Sequence, residues 1–159
     1  MLSLFAFEFA LIIAAVAVNG ILAGISVGRS LIELPAWRSV NLAGFHDYVQ
    51  TADLGRGIVF YPAIGIVATA LVIATAIVGT ISSLPLIVVV LLIVSAILSL
   101  LHSATTSRAA PNMLSLRNSA LSKEEVKVKF DLFKKWHDRR AALQLSTFLS
   151  ILLALAAVI

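Results

Sequence analysis

The sequence predicts an all-α fold: an integral membrane four-helix bundle whose last helix extends well beyond the bilayer into the cytoplasm. Three observations point there. Hydrophobic residues make up 60% of the 159 positions and charged residues only 13%, which leaves too little polar surface to cover a water-soluble globule. Four apolar runs, at about residues 2–28, 57–80, 84–101 and 141–159, are each long enough to cross a hydrocarbon core of about 30 Å as a helix, and none alternates as a barrel strand would. All twelve Lys and Arg residues fall in the first and third connections, which share one side of a four-span chain. The positive-inside rule puts those connections in the cytoplasm and both termini outside. The chain reads as a single domain over residues 1–159.

In the first span, Gly20, Gly24 and Gly28 lie four apart on one stripe, where small residues admit a close neighbour from within the bundle or from a second copy in a homo-oligomer. Glu8, Ala15, Asn19 and Ser26 form an adjoining stripe expected to look inward, because polar groups facing lipid are costly. No Lys or Arg precedes this run and Glu8 interrupts its start, so it reads as a retained span rather than a cleaved secretory signal. The connection 29–56 is too long for a simple turn. Leu31, Ile32, Leu34 and Trp37 are expected to lie flat at the interface, with Pro35 bending the chain. His46, Asp47, Tyr48, Gln50, Asp53 and Arg56 read as solvated loop residues near the mouth of the second span.

Pro62 sits about two turns into that span, where it can free a carbonyl or bend the helix. The segment "ISSLP" predicts a tight outer turn, making spans two and three an antiparallel hairpin. Ser95 and Ser99 read as helix–helix contacts, His102 marks the inner end of span three, and Pro111 is expected to end it. "SKEE" is a capping box with Ser122 as N-cap and Glu125 at the third helical position. With no Gly or Pro from Lys123 to Ile159, one helix about 55 Å long is expected to run from the cytoplasm through the bilayer.

Along that helix Phe133, His137, Arg140 and Gln144 are spaced by four, three and four residues and so form one continuous stripe, continued upstream by Phe130 and Val126. Lys134, Lys135 and Arg139 point elsewhere and can snorkel to phosphates. The stripe begins apolar, turns polar at the membrane boundary and ends in an amide inside the apolar run, which is expected to face the other helices. Two readings stay open. Arg140 neutralises Asp47, Asp53 or Asp138 while Gln144 bonds Asn19, or the stripe lines a site.

The glycine-spaced first span, the Pro111-Asn112 pair after span three and the His137-x-x-Arg140 motif opening the last span resemble the anthrone oxygenase-like family of small four-span membrane proteins. The likeness covers nearly the whole chain through short motifs. It sets His137 and Arg140 on the family's His-x-x-Arg, Asn112 on its Asn after Pro, and Gly20 and Gly24 on its first-span glycines. Two positions depart: Phe133 stands where a Trp is common, and the family's Pro-x-Asn is here an adjacent pair. The resemblance implies oxidation of an electron-rich polycyclic phenol, anthrone to anthraquinone.

Such chemistry needs a base to take a proton from carbon or phenol and donors to hold the resulting oxyanion. His137 is the candidate base, and Arg140 with Asn112 the oxyanion partners. Asn19, Gln144, Phe133 and His102 are the candidate substrate-binding residues. No organic cofactor is expected, because no nucleotide-binding glycine loop or flavin signature occurs. A haem or metal between two of His46, His102 and His137 is a minor reading, since the three lie on separate elements without a helically spaced carboxylate ligand. The absence of Cys excludes disulfides and thiolate chemistry. No basic-aromatic motif suggests nucleic acid; membrane lipids and a hydrophobic small molecule are the expected partners. The competing functional class is a non-catalytic lipid-binding, accessory or assembly protein in which the stripe only holds the bundle together. A transporter is the weakest reading, for want of an internal repeat.

Overall fold

A computed structural model describes residues 2–40, 42–118 and 120–159. Helix α1 (Leu2–Gly28) passes through a π-helical turn, Arg29–Glu33, into α2 (Leu34–Val40). Helix α3 (Leu42–Thr51) passes through a second π-helical turn, Ala52–Arg56, into α4 (Gly57–Ile81), and α5 (Leu86–Ser115) and α6 (Lys123–Val158) complete the chain. Four helical stretches, Ala6–Val40, Gly44–Ile81, Leu86–Ser115 and Lys123–Val158, are long and apolar enough to cross a membrane. The protein is, by length and composition, a multi-pass membrane helix bundle. Helix α6 packs against α5 and α1, and α4 closes the ring against the same two helices.

Two separate apolar clusters hold the bundle. One draws on all four spans, through Ile12, Val72, Leu92 and Ile151 among others. The other sits at the basic end, where Leu34, Phe45, Val49, Leu116 and Phe130 are buried together, the rings of Phe45 and Phe130 meeting edge-on at 4.8 Å. This second cluster overturns the expectation for the first connection. Instead of a segment lying flat followed by a solvated loop, the chain stays helical. Leu34 gains full burial by continuing upward, and Trp37 packs on Tyr48 at 5.2 Å. Pro35 is accommodated because the π turn just before it is wider than an α turn and relieves the clash of the ring with the preceding turn. Leu31 and Ile32 remain exposed, at 72% and 73%.

Pro111 does not end its helix either. Helix α5 runs on to Ser115, because Ala109, Met113 and Leu116 bury against the basic-end cluster and outweigh the missing hydrogen bond. The glycine stripe divides. A Cβ on Gly20 would meet the Phe148 ring at 3.0 Å, whereas Gly24 and Gly28 have open space over them; only Gly20 admits a close neighbour within the bundle.

Other local expectations match the fold. Ser82 takes an extended conformation at the end of α4, and its hydroxyl donates to the buried Glu8 carboxylate, so the first span's acid faces inward. At Ser122 the capping box is complete: the Glu125 N–H donates to the Ser122 hydroxyl at 3.3 Å, and the Ser122 N–H donates back to the Glu125 carboxylate at 2.8 Å. These bonds, the backbone one first, hold the Glu125 carboxyl below its usual range. Helix α6 then continues for 36 residues.

Candidate ligand cavity and its charged wall

The two clusters do not merge on the α4 side. Between Gly57 and Ala68, helix α4 has no buried residue, and a cavity of about 610 Å³ lies there instead. Most of its wall is apolar: Leu22 and Ile25 from α1, Ile58 and Ile66 from α4, Met113 and Leu114 from α5. Its polar wall is compact, formed by Arg29, Asp53, His102, His137 and Arg140, with Tyr61, Thr69 and Thr106 beside them.

The two π turns build the charged part of that wall. In the first, Leu34 N–H bonds the Arg29 carbonyl, and in the second Gly57 N–H bonds the Ala52 carbonyl; each widened turn presents one charged residue inward, Arg29 and Asp53. Gly57 is required there, since a Cβ would come within 2.9 Å of the Ala52 carbonyl. The Arg29 guanidinium grips the Asp53 carboxylate through both terminal nitrogens, Nη1 to Oδ1 at 2.7 Å, a bidentate pair of the strongest geometry. Both side chains are buried. Arg29 also lies over the rings of Phe133, at 5.4 Å, and Tyr61, at 5.8 Å, where the ring faces attract its charge. Asp53, expected as a solvated loop residue, is thus a buried counter-ion.

Helix α6 supplies the other part. His137 is buried, with Nε2 3.2 Å from the Ser26 carbonyl. A proton on Nε2 satisfies that carbonyl and leaves Nδ1 with its lone pair free; Nδ1 is buried without a partner, and the tautomer is assigned from this network. The ring of Phe133 lies 5.4 Å away, tilted by 30°. Across the cavity His102 Nδ1 lies 3.2 Å from the Arg140 backbone carbonyl, so the histidine fixes the backbone of the residue whose side chain is free. Among the described residues the Arg140 guanidinium makes no ion pair or hydrogen bond, and its Nε is buried without a partner. The carboxylates expected to neutralise it are used elsewhere: Asp53 by Arg29, and Asp138 by Lys134 and Ser30. Asp47 lies on the exposed face of α3.

Four sequence candidates therefore gather around one space: His137, Arg140, Phe133 and His102. Three do not. Asn112 stays on its own helix, where Nδ2 donates to the Arg108 carbonyl at 3.0 Å, because the continued α5 carries it away from the cavity. Asn19 and Gln144 form a dry seam below the cavity. Gln144 Nε2 donates to Asn19 Oδ1 at 2.9 Å, and Asn19 Nδ2 donates to the carbonyls of Ala15 and Ala68 at 2.9 and 3.3 Å. His46 is also remote, its Nε2 2.9 Å from the Leu116 carbonyl. No group of three His, Cys, Asp or Glu able to hold a metal occurs among the described residues.

Sequence reasoning missed Arg29, Asp53 and Tyr61 as wall residues. The signal lay in "ADLGRG", where two glycines flank an arginine at the start of an apolar helix, a sign of close backbone packing rather than of a solvated loop. Compared with family models, with curated proteins and with solved structures, the chain matches none.

Proposed function

We propose that this multi-pass membrane protein binds a small hydrophobic molecule with an acidic oxygen, a phenol or its enol equivalent, and oxidises it without an organic cofactor. The observation that carries this reading is the unpartnered Arg140 guanidinium beside His137 on the wall of an otherwise apolar cavity. A buried cation without a counter-ion is costly, and a ligand oxyanion is the group that would complete it. His137 takes the proton from the phenol or the activated carbon, and Arg140 holds the developing oxyanion. Molecular oxygen is the co-substrate. One anthrone-type CH2 and one O2 give one ketone and one water: two C–H bonds break, one C=O and two O–H bonds form, and the four electrons lost by carbon reduce both oxygen atoms. The resemblance to the anthrone oxygenase-like family, through His137 and Arg140, supports the same substrate class.

The test uses the protein in nanodiscs with 2-hydroxyanthraquinone, a planar phenol whose anion absorbs at longer wavelength, and oxygen uptake with anthrone. Wild type should hold the dye as its anion and consume oxygen. Arg140→Ala and His137→Ala should each weaken binding or turnover at least about tenfold, while Arg139→Ala, whose guanidinium stacks on Trp136 at 4.7 Å, should change neither. Dye binding without oxygen uptake would turn the reading into the non-catalytic, lipid-binding one. We further propose that the basic end, with the cavity, faces the cytoplasm, on the segregation of Lys and Arg. Cysteines placed at the exposed Ser107 and at Ser83 in the outer turn should react with an impermeant thiol reagent from opposite sides; labelling of Ser107→Cys from outside intact cells would reverse the orientation.

A further inference from the structure

We infer that the cavity fills sideways from the bilayer, through a slot between the first half of α4 and the last half of α5, and that its ligand is a membrane-dissolved amphiphile rather than a water-borne one. This rests on the reading of the cavity as a ligand site.

Three observations converge on the slot. First, helices α4 and α5 are stitched together by hydroxyls at one level, Ser99 Oγ donating to Thr69 Oγ1 at 2.9 Å and Ser103 Oγ lying 3.3 Å from the same atom. Toward the basic end of that stitch the two helices flank the cavity, Ile58, Pro62 and Ile66 on one side and Thr106, Ala110 and Leu114 on the other. Second, several of these same residues are outward-facing as well: Ile66 is 68% and Leu114 42% exposed, and Pro62 is exposed too. A residue that both lines a cavity and meets the surroundings marks an opening. Third, the remaining sides are shut. The basic-end cluster of α2, α3, α5 and α6 roofs the cavity, the Arg29–Asp53 pair closes the corner between the two π turns, and the Asn19–Gln144 seam closes the bottom.

The chemistry of the opening selects the ligand. Its lips are apolar and face lipid in a membrane-spanning helix pair, whereas the single unpartnered cation, Arg140, lies on the opposite helix, α6. A ligand arriving from the bilayer enters polar end first and leaves its apolar end in the slot, so it never has to strip its hydrocarbon from water. The edge contributed by α4 is the adaptable one. Pro62 removes one backbone hydrogen bond from it, Gly65 has open space over it, and Gly55 breaks the helical path just before it, at φ −82° and ψ −111°.

The absence of cysteine gives a direct test. Ala63→Cys and Ser107→Cys place thiols on the outer lips, at exposed positions outside the cavity wall; the Ser107 hydroxyl bonds only its own helix, at the Ala104 carbonyl. The double variant in nanodiscs is bridged with bis-maleimides of graded length containing a reducible link. With 2-hydroxyanthraquinone preloaded in the lipid, bridging should slow loading about tenfold or more, bridging after loading should slow release to a similar degree, and reduction of the link should restore both. Equal loading rates in bridged and open protein would overturn the slot while leaving the cavity reading intact. Failure of the open double variant and of wild type to bind the dye at all would overturn the cavity reading and the slot together.

Discussion

Gln144 and His137 lie seven residues apart on the same inward face of α6, and both are almost completely buried. At Gln144 the neighbours close in. Asn19 from α1 meets it directly, and α4 comes near enough for the Ala68 carbonyl to accept from Asn19. At His137 only α1 closes in, through the Ser26 carbonyl, while α4 stands off around a cavity. The side chains are similarly polar and similarly placed, so polarity and periodicity do not decide which level of a bundle becomes a seam and which a site. The backbone opposite does. Around Ala68, α4 is regular and small-sided; between Gly55 and Gly65 it carries a broken helical step, a π turn and a proline, and cannot lie flush on its neighbours.

The largest test of this contrast falls on the cavity corner. Asp53→Ala would leave Arg29 buried without its partner and should lower stability by about 3–5 kcal/mol, seen as a large drop in the detergent melting temperature. Replacing both members, Arg29→Met with Asp53→Leu, should recover most of it. A melting curve unchanged in Asp53→Ala would mean that the π turns do not depend on each other. Next in size, Asn19→Ala deprives Gln144 of its acceptor and should cost about 1–3 kcal/mol, yet leave dye binding near wild type once the protein is folded. Loss of binding in proportion to loss of stability would merge the seam and the cavity into one unit. The smallest effect on stability is expected for Arg140→Ala, within about 0.5 kcal/mol, because that side chain has no protein partner to abandon; the change there should appear in ligand binding instead.

Composition and span length made the helical membrane fold readable, and the capping box with the unbroken run after Lys123 made α6 readable almost to the residue. The inward stripe of α6 was also legible, since helical spacing alone puts Phe133, His137, Arg140 and Gln144 on one face. Which members share a space was not. That depends on α4, whose irregular start comes from long-range packing of Leu34, Phe45 and Phe130, and no local pattern reports it. Pro111 misled for the same reason: local chemistry argued for a helix end, and burial of Met113 and Leu116 overruled it. Asp53 was hidden because a carboxylate in a polar stretch looks solvated until its arginine, 24 positions earlier, is seen across the bundle.

Each π turn spends one residue more than an α turn, which rotates everything beyond it by about 100° relative to the helix before it. The long hairpin formed by the first two spans therefore has two phases. Below the turns, Ile12 and Val72 answer to the core of the four spans; above them, Leu34 and Phe45 answer to a core oriented differently. A uniform α-helix could not serve both, since whichever core it satisfied would turn its apolar residues away from the other. The Arg29–Asp53 pair ties the two phase shifts together, so that neither rail of the hairpin can slip by a residue without the other.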